Sequence, residues 1–268
     1  MSRRRGLVAG AVVLSFVLVG CSDVAASESD TPSSESTPSA TTPSGTPTTT
    51  PTSSPSPTAT TPTPTPTATK PKPRVKQTPQ YYALRVEGQL DKLGYPVGDV
   101  DGDITARSKQ ALCAWRETHG MTVSRKGLTL ADAYSVLNAT RRPTPTRSPG
   151  IYVNKTCQIA YQIVGKAYKR IVWVSTGAPG YETPNRTGKV WRKWAGAHES
   201  SLYPEAYMYD SLYFLRDRPG IALHGSRVNS LVKTYPASHR CVRVTRPEIT
   251  QIFKETPIGT KVQVYGDY

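Results

Sequence analysis

Between residues 31 and 69, 34 of 39 positions are Ser, Thr or Pro, and ten of them are proline. Proline fixes φ and lacks an N–H, so neither a helix nor a central strand can run through such a tract. Too few apolar side chains remain to offset the entropy of ordering, and residues 21–80 are expected to form a disordered stalk. Its Thr-Pro repeats favour polyproline II, which at about 3.1 Å per residue lets the stalk reach roughly 180 Å. Its threonines suit sugar attachment. The tract also explains an apolar fraction of 37%, against about 45–50% in a packed globule. Folded domains must therefore lie beyond residue 80. Lys70, Lys72, Arg74 and Lys76 close the stalk, either as a solvated charge run or as an attraction to anionic lipid or wall polymer.

One long apolar run exists, at residues 7–19, behind Arg3, Arg4 and Arg5. A membrane-spanning helix needs about 20 such residues, so the run fits a secretory signal and excludes a polytopic membrane protein. Leu18-Val19-Gly20-Cys21 closes it and resembles the bacterial lipobox, which implies a signal peptide at 1–20 and lipidation of Cys21. A diacyl chain would anchor an exported protein stably to the outer face of the cytoplasmic membrane, facing the cell wall. The alternative is an ordinary signal peptide that happens to contain a cysteine. The formal charge of +15 becomes +12 once the three arginines are removed. The remaining Lys and Arg are scattered and no nucleic-acid motif occurs, so nucleic acid is not expected as a partner. Anionic wall polymers are the more plausible counter-charge.

Residues 81–139 carry helical periodicity. Leu84, Val86, Leu90 and Leu93 precede Gly94; Ala106, Ala111, Leu112 and Trp115 mark a second helix; Leu128, Leu130, Ala133 and Leu137 mark a third. Asp99, Asp101 and Asp103 fail the calcium-loop pattern, which needs glycine at the sixth position and glutamate at the twelfth, and suit a turn that caps the second helix. With Leu93-Gly94-Tyr95, Val100-Asp101-Gly102 and Thr105-Ala106, this all-α segment resembles the three-helix peptidoglycan-binding domain. Ala114-Trp115-Arg116 stands where that family usually carries Phe-Gln. Pro143, Pro145 and Pro149 mark residues 140–150 as a linker.

Beyond it the period changes. Residues 151–153, 158–164 and 170–174 are short β-branched and aromatic runs, and residues 261–265 form a closing one, so residues 151–268 read as a mainly β domain with a helix over 246–255. The chemistry sits in its last third. His224 ends the apolar run Ile221-Ala222-Leu223, and after thirteen intervening residues comes Ser238-His239-Arg240-Cys241-Val242-Arg243. A thiol attacks as thiolate, and an imidazole close by can take its proton. Two other readings stay open on the residues alone. His224, His239 and Cys241 could hold a metal, although they lack paired zinc-ligand spacing, or the cysteine could be structural.

The whole segment resembles the L,D-transpeptidase catalytic domain of bacterial cell walls. The likeness rests on His224-Gly225, on Ser238-His239 with Cys241 and Arg243, on Ser175-Thr176-Gly177 and Thr183-Pro184, and on Tyr213-Phe214 and Gly220-Ile221. It implies Cys241 as nucleophile and His224 as base, with the carbonyl of Gly225 or Ser226 orienting the imidazole. Tyr213, Gly220 and Arg243 would contact substrate, Arg243 either holding a carboxylate or bracing the loop. Ser238 and His239 would support the nucleophile's position. The partners implied are peptidoglycan stem peptides, with no cofactor and no metal. Arg240 departs from the family, which has glycine there. Either the enzyme works with altered substrate handling, or the fold only binds wall; carboxypeptidase action with water as acceptor is a third reading. With Cys21 and Cys241 so assigned, Cys113 and Cys157 remain, in an oxidising compartment. They are expected to form a disulfide between the helical and β segments, the alternative being two buried thiols.

Overall fold

The computed structural model describes residues 77–201 and 203–268, so the signal region, Cys21 and nearly all of the stalk lie outside the described residues. Three helices come first: α1 (Pro79–Lys92), α2 (Ala106–Thr118) and α3 (Leu130–Leu137). Proline at the start of α1 costs no hydrogen bond, because the first helical N–H groups have no partner within the helix. Thr105 and Thr129 cap α2 and α3 through reciprocal capping boxes with Ser108 and Asp132. In the acidic turn before α2, Asp101 accepts from the Asp103 N–H and Glu87 from the Gly102 N–H. α1 faces the core with Tyr82, Ala83, Val86 and Leu90. Leu84, expected on that face, is 53% exposed, because the helix is rotated to bury its aromatic instead.

Nine strands follow: β1 (Gly150–Asn154), β2 (Ile159–Val164), β3 (Ala167–Ser175), β4 (Thr187–Lys189), β5 (Arg192–Glu199), β6 (Tyr207–Tyr213), β7 (Ala222–Ser226), β8 (Val242–Val244) and β9 (Lys261–Tyr265). A helix α4 (Arg246–Glu255) lies between β8 and β9. The order across the sheet is β4-β9-β1-β2-β3-β8-β7-β6-β5. All pairings are antiparallel except β1 with β9 and β7 with β8. β3 and β8 share only two register pairs, and at this narrow join the two halves of the half-barrel meet.

Successive residues of β1 serve opposite faces, as the period of two requires. Ile151 and Val153 join the core under α4 with Val174, Leu223, Val242 and Ile249. Tyr152 points the other way, into a core shared with Val86, Leu112 and Trp115 of the helices. The helices thus cover one face of the sheet and α4 covers the other. The linker is packed rather than loose, since Arg147 forms an ion pair with Glu117. Cys113 of α2 and Cys157, in the turn between β1 and β2, are joined by a disulfide with Cα atoms 5.5 Å apart. No helix among the described residues is long and apolar enough to cross a membrane.

Candidate active site

β7 and β8 run in parallel, with Leu223 opposite Val242 and His224 opposite Arg243. Register partners share a face and the faces alternate, so His224, Arg243 and, one step earlier, Cys241 project from one side of the sheet. Cys241 is the free cysteine among the described residues and is buried. Its Sγ lies 3.5 Å from the Gly220 carbonyl oxygen, to which it donates. It packs against Met208, Tyr213 and Ala222. Cys241 and His224 line one cavity of about 370 Å³ together with Ser226, Ser238, His239 and Arg243.

His224 is held by its own strand. Its Nδ1 lies 2.8 Å from the Gly225 carbonyl oxygen. A carbonyl only accepts, so Nδ1 carries the hydrogen and Nε2 keeps its lone pair. Burial pushes the imidazole pKa down to about 4, and the positive charge of Arg243 works the same way. Burial also pushes the Cys241 thiol up to about 11, against a smaller lowering by a backbone hydrogen bond from Ala222 and by Arg243. At neutral pH both groups are therefore uncharged. Gly225 has no room for a side chain, because a Cβ there would stand 2.9 Å from Cγ2 of Ile249.

The loop that carries Cys241 is fixed by one bond within it and by others from outside. Ser238 donates from Oγ to the Cys241 carbonyl at 2.5 Å, and Thr183 donates to the same oxygen at 3.3 Å. Thr183 Oγ1 also accepts from the Gly177 N–H. The Thr176 carbonyl accepts from the Ala237 and Ser238 N–H groups, and the Ala178 N–H donates to the Ser238 carbonyl. Arg243 donates from Nη1 to the Ala237 carbonyl at 2.9 Å, which makes it a brace of this loop as well as part of the cavity wall.

The remaining residues singled out from sequence lie in, around or apart from this cavity. Ser226 faces the cavity with its Oγ buried and without a partner. His239 is exposed, its ring 4.6 Å from that of Tyr181 and 4.5 Å from that of Tyr203. Tyr213 does not line the cavity; it packs behind the thiol with its hydroxyl 3.2 Å from His198 Nε2. Arg240 is exposed with φ +75°, and with Gly220 it borders a second cavity. Cys113 and Cys157 belong to the helix-facing core and take no part in the site. No group of three His, Cys, Asp or Glu among the described residues could hold a metal ion.

Two contributors had no signal in the sequence pattern. Gln158 bonds Thr176 through both ends of its amide. Its own carbonyl accepts from Gln110 of α2, so the helices reach the Cys241 loop through one glutamine. A lone glutamine in a hairpin turn announces nothing by itself. His198, stacked on Trp194 at 4.6 Å, is likewise recognisable only once β5 and β6 are paired.

The YkuD signature, L,D-transpeptidase catalytic domain, matches residues 148–264. An L,D-transpeptidase from Xylanimonas cellulosilytica is 30% identical over 72% of this chain and 100% of its own, with a TM-score of 0.50. An L,D-transpeptidase (Yku) from Stackebrandtia nassauensis is 21% identical over 69% of this chain and 91% of its own, with a TM-score of 0.44. No curated protein matches the chain. The identity shared along the whole solved Xylanimonas chain, which spans residues 123–326 of that protein, and a signature that takes in β7, β8 and the cysteine between them, establish that this chain belongs to the L,D-transpeptidase family.

Proposed function

We propose that the protein cross-links peptidoglycan stem peptides through a thioester on Cys241. The observation that carries this reading is the bond from His224 Nδ1 to the Gly225 carbonyl, which leaves Nε2 as a free base in the cavity the thiol shares. His224 takes the thiol proton as sulfur attacks the carbonyl of the L-centre in a donor tetrapeptide, which the family resemblance makes diaminopimelate. With the imidazole near 4 and the thiol near 11, a resting ion pair is disfavoured. Proton transfer therefore accompanies attack rather than preceding it. The developing oxyanion is held by the Cys241 N–H and a neighbouring backbone N–H, a role that needs no particular side chain. The C–N bond breaks, the imidazolium returns its proton to the departing D-alanine amine, and the thioester remains. An acceptor side-chain amine then attacks, gives a proton to His224 and releases the thiol. Nothing in these steps calls for a metal or an organic cofactor.

Arg240 stands where the family has glycine and keeps a backbone angle that glycine adopts freely. That supports a working loop over a degenerate one, because the carbonyl and N–H directions around Cys241 follow the backbone and not the side chain. In this reading the three helices are a wall-binding module. The lipidated Cys21 and the stalk, both outside the described residues, hold the enzyme on the outer face of the membrane within reach of the wall.

Intact-mass measurement after incubation with a carbapenem and with a tetrapeptide muropeptide tests the proposal. The wild type is expected to gain one acyl group, lose D-alanine from the muropeptide and form dimers, and Cys241→Ala to do none of these. Acylation surviving in Cys241→Ala would refute the nucleophile. A wild type that neither acylates nor turns over would leave wall binding as its role.

A further inference from the structure

On the Gly220 side of the thiol opens a second cavity, of about 740 Å³, lined by Arg192, Arg218 and Arg240 with Ser201, Gly220 and Ile221. It adjoins the reaction centre twice over. Gly220 contributes both to its wall and, through its carbonyl, to the contact with Sγ, and Arg240 directly precedes Cys241. Three guanidinium-bearing side chains and no carboxylate line it. Among the described residues none of the three takes part in an ion pair, for the four present use Arg116, Arg147, Arg170 and Arg186. Asp217, next to Arg218, is turned to Arg186. Glu182, the carboxylate that feels Arg240, is exposed, accepts from the Gly180 N–H and does not line the cavity.

Arg192 is built in rather than waving in solvent. Its guanidinium lies 4.2 Å from the ring of Tyr213, 5.2 Å from that of Trp194 and 5.6 Å from that of Trp191. Its Nε is buried and without a hydrogen-bond partner. A concave wall of one charge sign, without a counter-ion of its own, concentrates the opposite sign. A similar-sized basic cavity beside α4 differs on this point, since Arg170 there is paired with Glu255.

We propose that Arg192, Arg218 and Arg240 form a carboxylate subsite beside Cys241, which takes a free carboxylate of a stem peptide and so selects which peptides react. The proposal rests on the transpeptidase reading and adds a specificity determinant to it. Arg240 completes the subsite at the position where the family motif has glycine, so the strained φ of an arginine there has a use. The carboxylate belongs either to the donor, bound during acylation, or to the acceptor, bound during resolution of the thioester.

The test compares the wild type with Arg218→Ala/Arg240→Gly. One site is exposed and the other has a backbone angle that glycine tolerates, so the double variant is expected to fold. Donor tetrapeptides with free or amidated carboxylates are scored by initial acylation rate. Acceptor peptides in the same two forms are scored by the rate at which they resolve a preformed thioester. The wild type is expected to prefer the free carboxylate by about tenfold in one half-reaction, as loss of a charge-assisted bond implies, and the variant to lose that preference. Preference in acylation assigns the donor, and preference in resolution assigns the acceptor. Equal use of both forms by the wild type in both half-reactions, or a preference that survives in the variant, overturns the subsite. Calorimetric binding of the free and amidated tetrapeptides to Cys241→Ala, with and without the two arginine changes, separates this from the reaction itself. An arginine-dependent preference of about tenfold in binding, with no acylation in the wild type, would sink the transpeptidase reading and keep the subsite.

Discussion

Arg240 and His224 are each held in a state unusual for their residue type. Arg240 holds φ +75°, a region that costs a residue with a Cβ roughly 1–2 kcal/mol, and such strain tends to collect at functional sites. His224 is buried and neutral, its pKa pushed down to about 4 chiefly by burial. In the proposed reaction its working form is the neutral one, so the acylation rate should hold from pH 7 through pH 5 and fall only as the pH approaches 4. A rate profile half-lost near 6.5 would mean an imidazole in water-like surroundings and would remove this account. Stability carries the same sign. The unfolded chain binds a proton near 6.5 and the folded chain only near 4, so stability is full above 6.5 and lost as pH falls through that window. The loss from His224 alone is about 3 kcal/mol. His119 and His198, also lowered by burial, add to it.

At the scale of elements, β7 and β8 place the proposed base His224 and nucleophile Cys241, but the loop leading into β8 is held by others. Thr183 is fully buried and serves two partners at once, accepting from the Gly177 N–H and donating to the Cys241 carbonyl. Gly177 itself admits no side chain, since a Cβ would stand 1.9 Å from the Tyr181 carbonyl oxygen. Thr183→Val keeps the shape and removes both bonds, leaving a buried N–H and a weakened carbonyl anchor. The expected cost is about 1–3 kcal/mol in urea denaturation, with acylation slowed at unchanged pH dependence. If Thr183→Val acylated at the wild-type rate, the Ser238 bond alone would suffice to position the thiol.

At the scale of the molecule the helices and the sheet form one compact unit among the described residues. The disulfide joins them, and Glu117 of α2 accepts from Asn154, Tyr161, Tyr265 and Arg147. Burial and the neighbouring Glu117 charge hold the Tyr161 and Tyr265 hydroxyls well above their ordinary pKa, so both remain donors to that carboxylate. Trp173 donates to the Pro96 carbonyl, and Arg107 lies 4.3 Å over the same indole. The bridge spans a separation of 44 residues, and the chain-entropy account puts such a closure at about 4 kcal/mol. Replacing Cys113 and Cys157 together by alanine should lower the urea midpoint accordingly. It should also loosen the Gln158 turn that carries Thr176, and so slow acylation from a distance. An unchanged midpoint would mean that the Glu117 cluster and the shared core already hold the helices without the bridge.

Local patterning determined much of this. The closing strand, the α4 helix and three helices after the Ser/Thr/Pro tract follow from period and proline content, because each depends on neighbours in the chain, and the short motif singled out His224 and Cys241. Tertiary structure alone decided which face of α1 is buried, since Tyr82 and Leu84 compete for a core that only the sheet defines. It also decided that β1 and β2 are covered on both sides, which hides the alternation their residues would show in a half-exposed sheet. Gln158 and Thr183 became parts of the site, and Arg192, Arg218 and Arg240 neighbours, only when segments far apart in sequence were brought together. Contacts of that kind leave no period behind them, because they are set by which surfaces meet and not by the order of the residues along the chain.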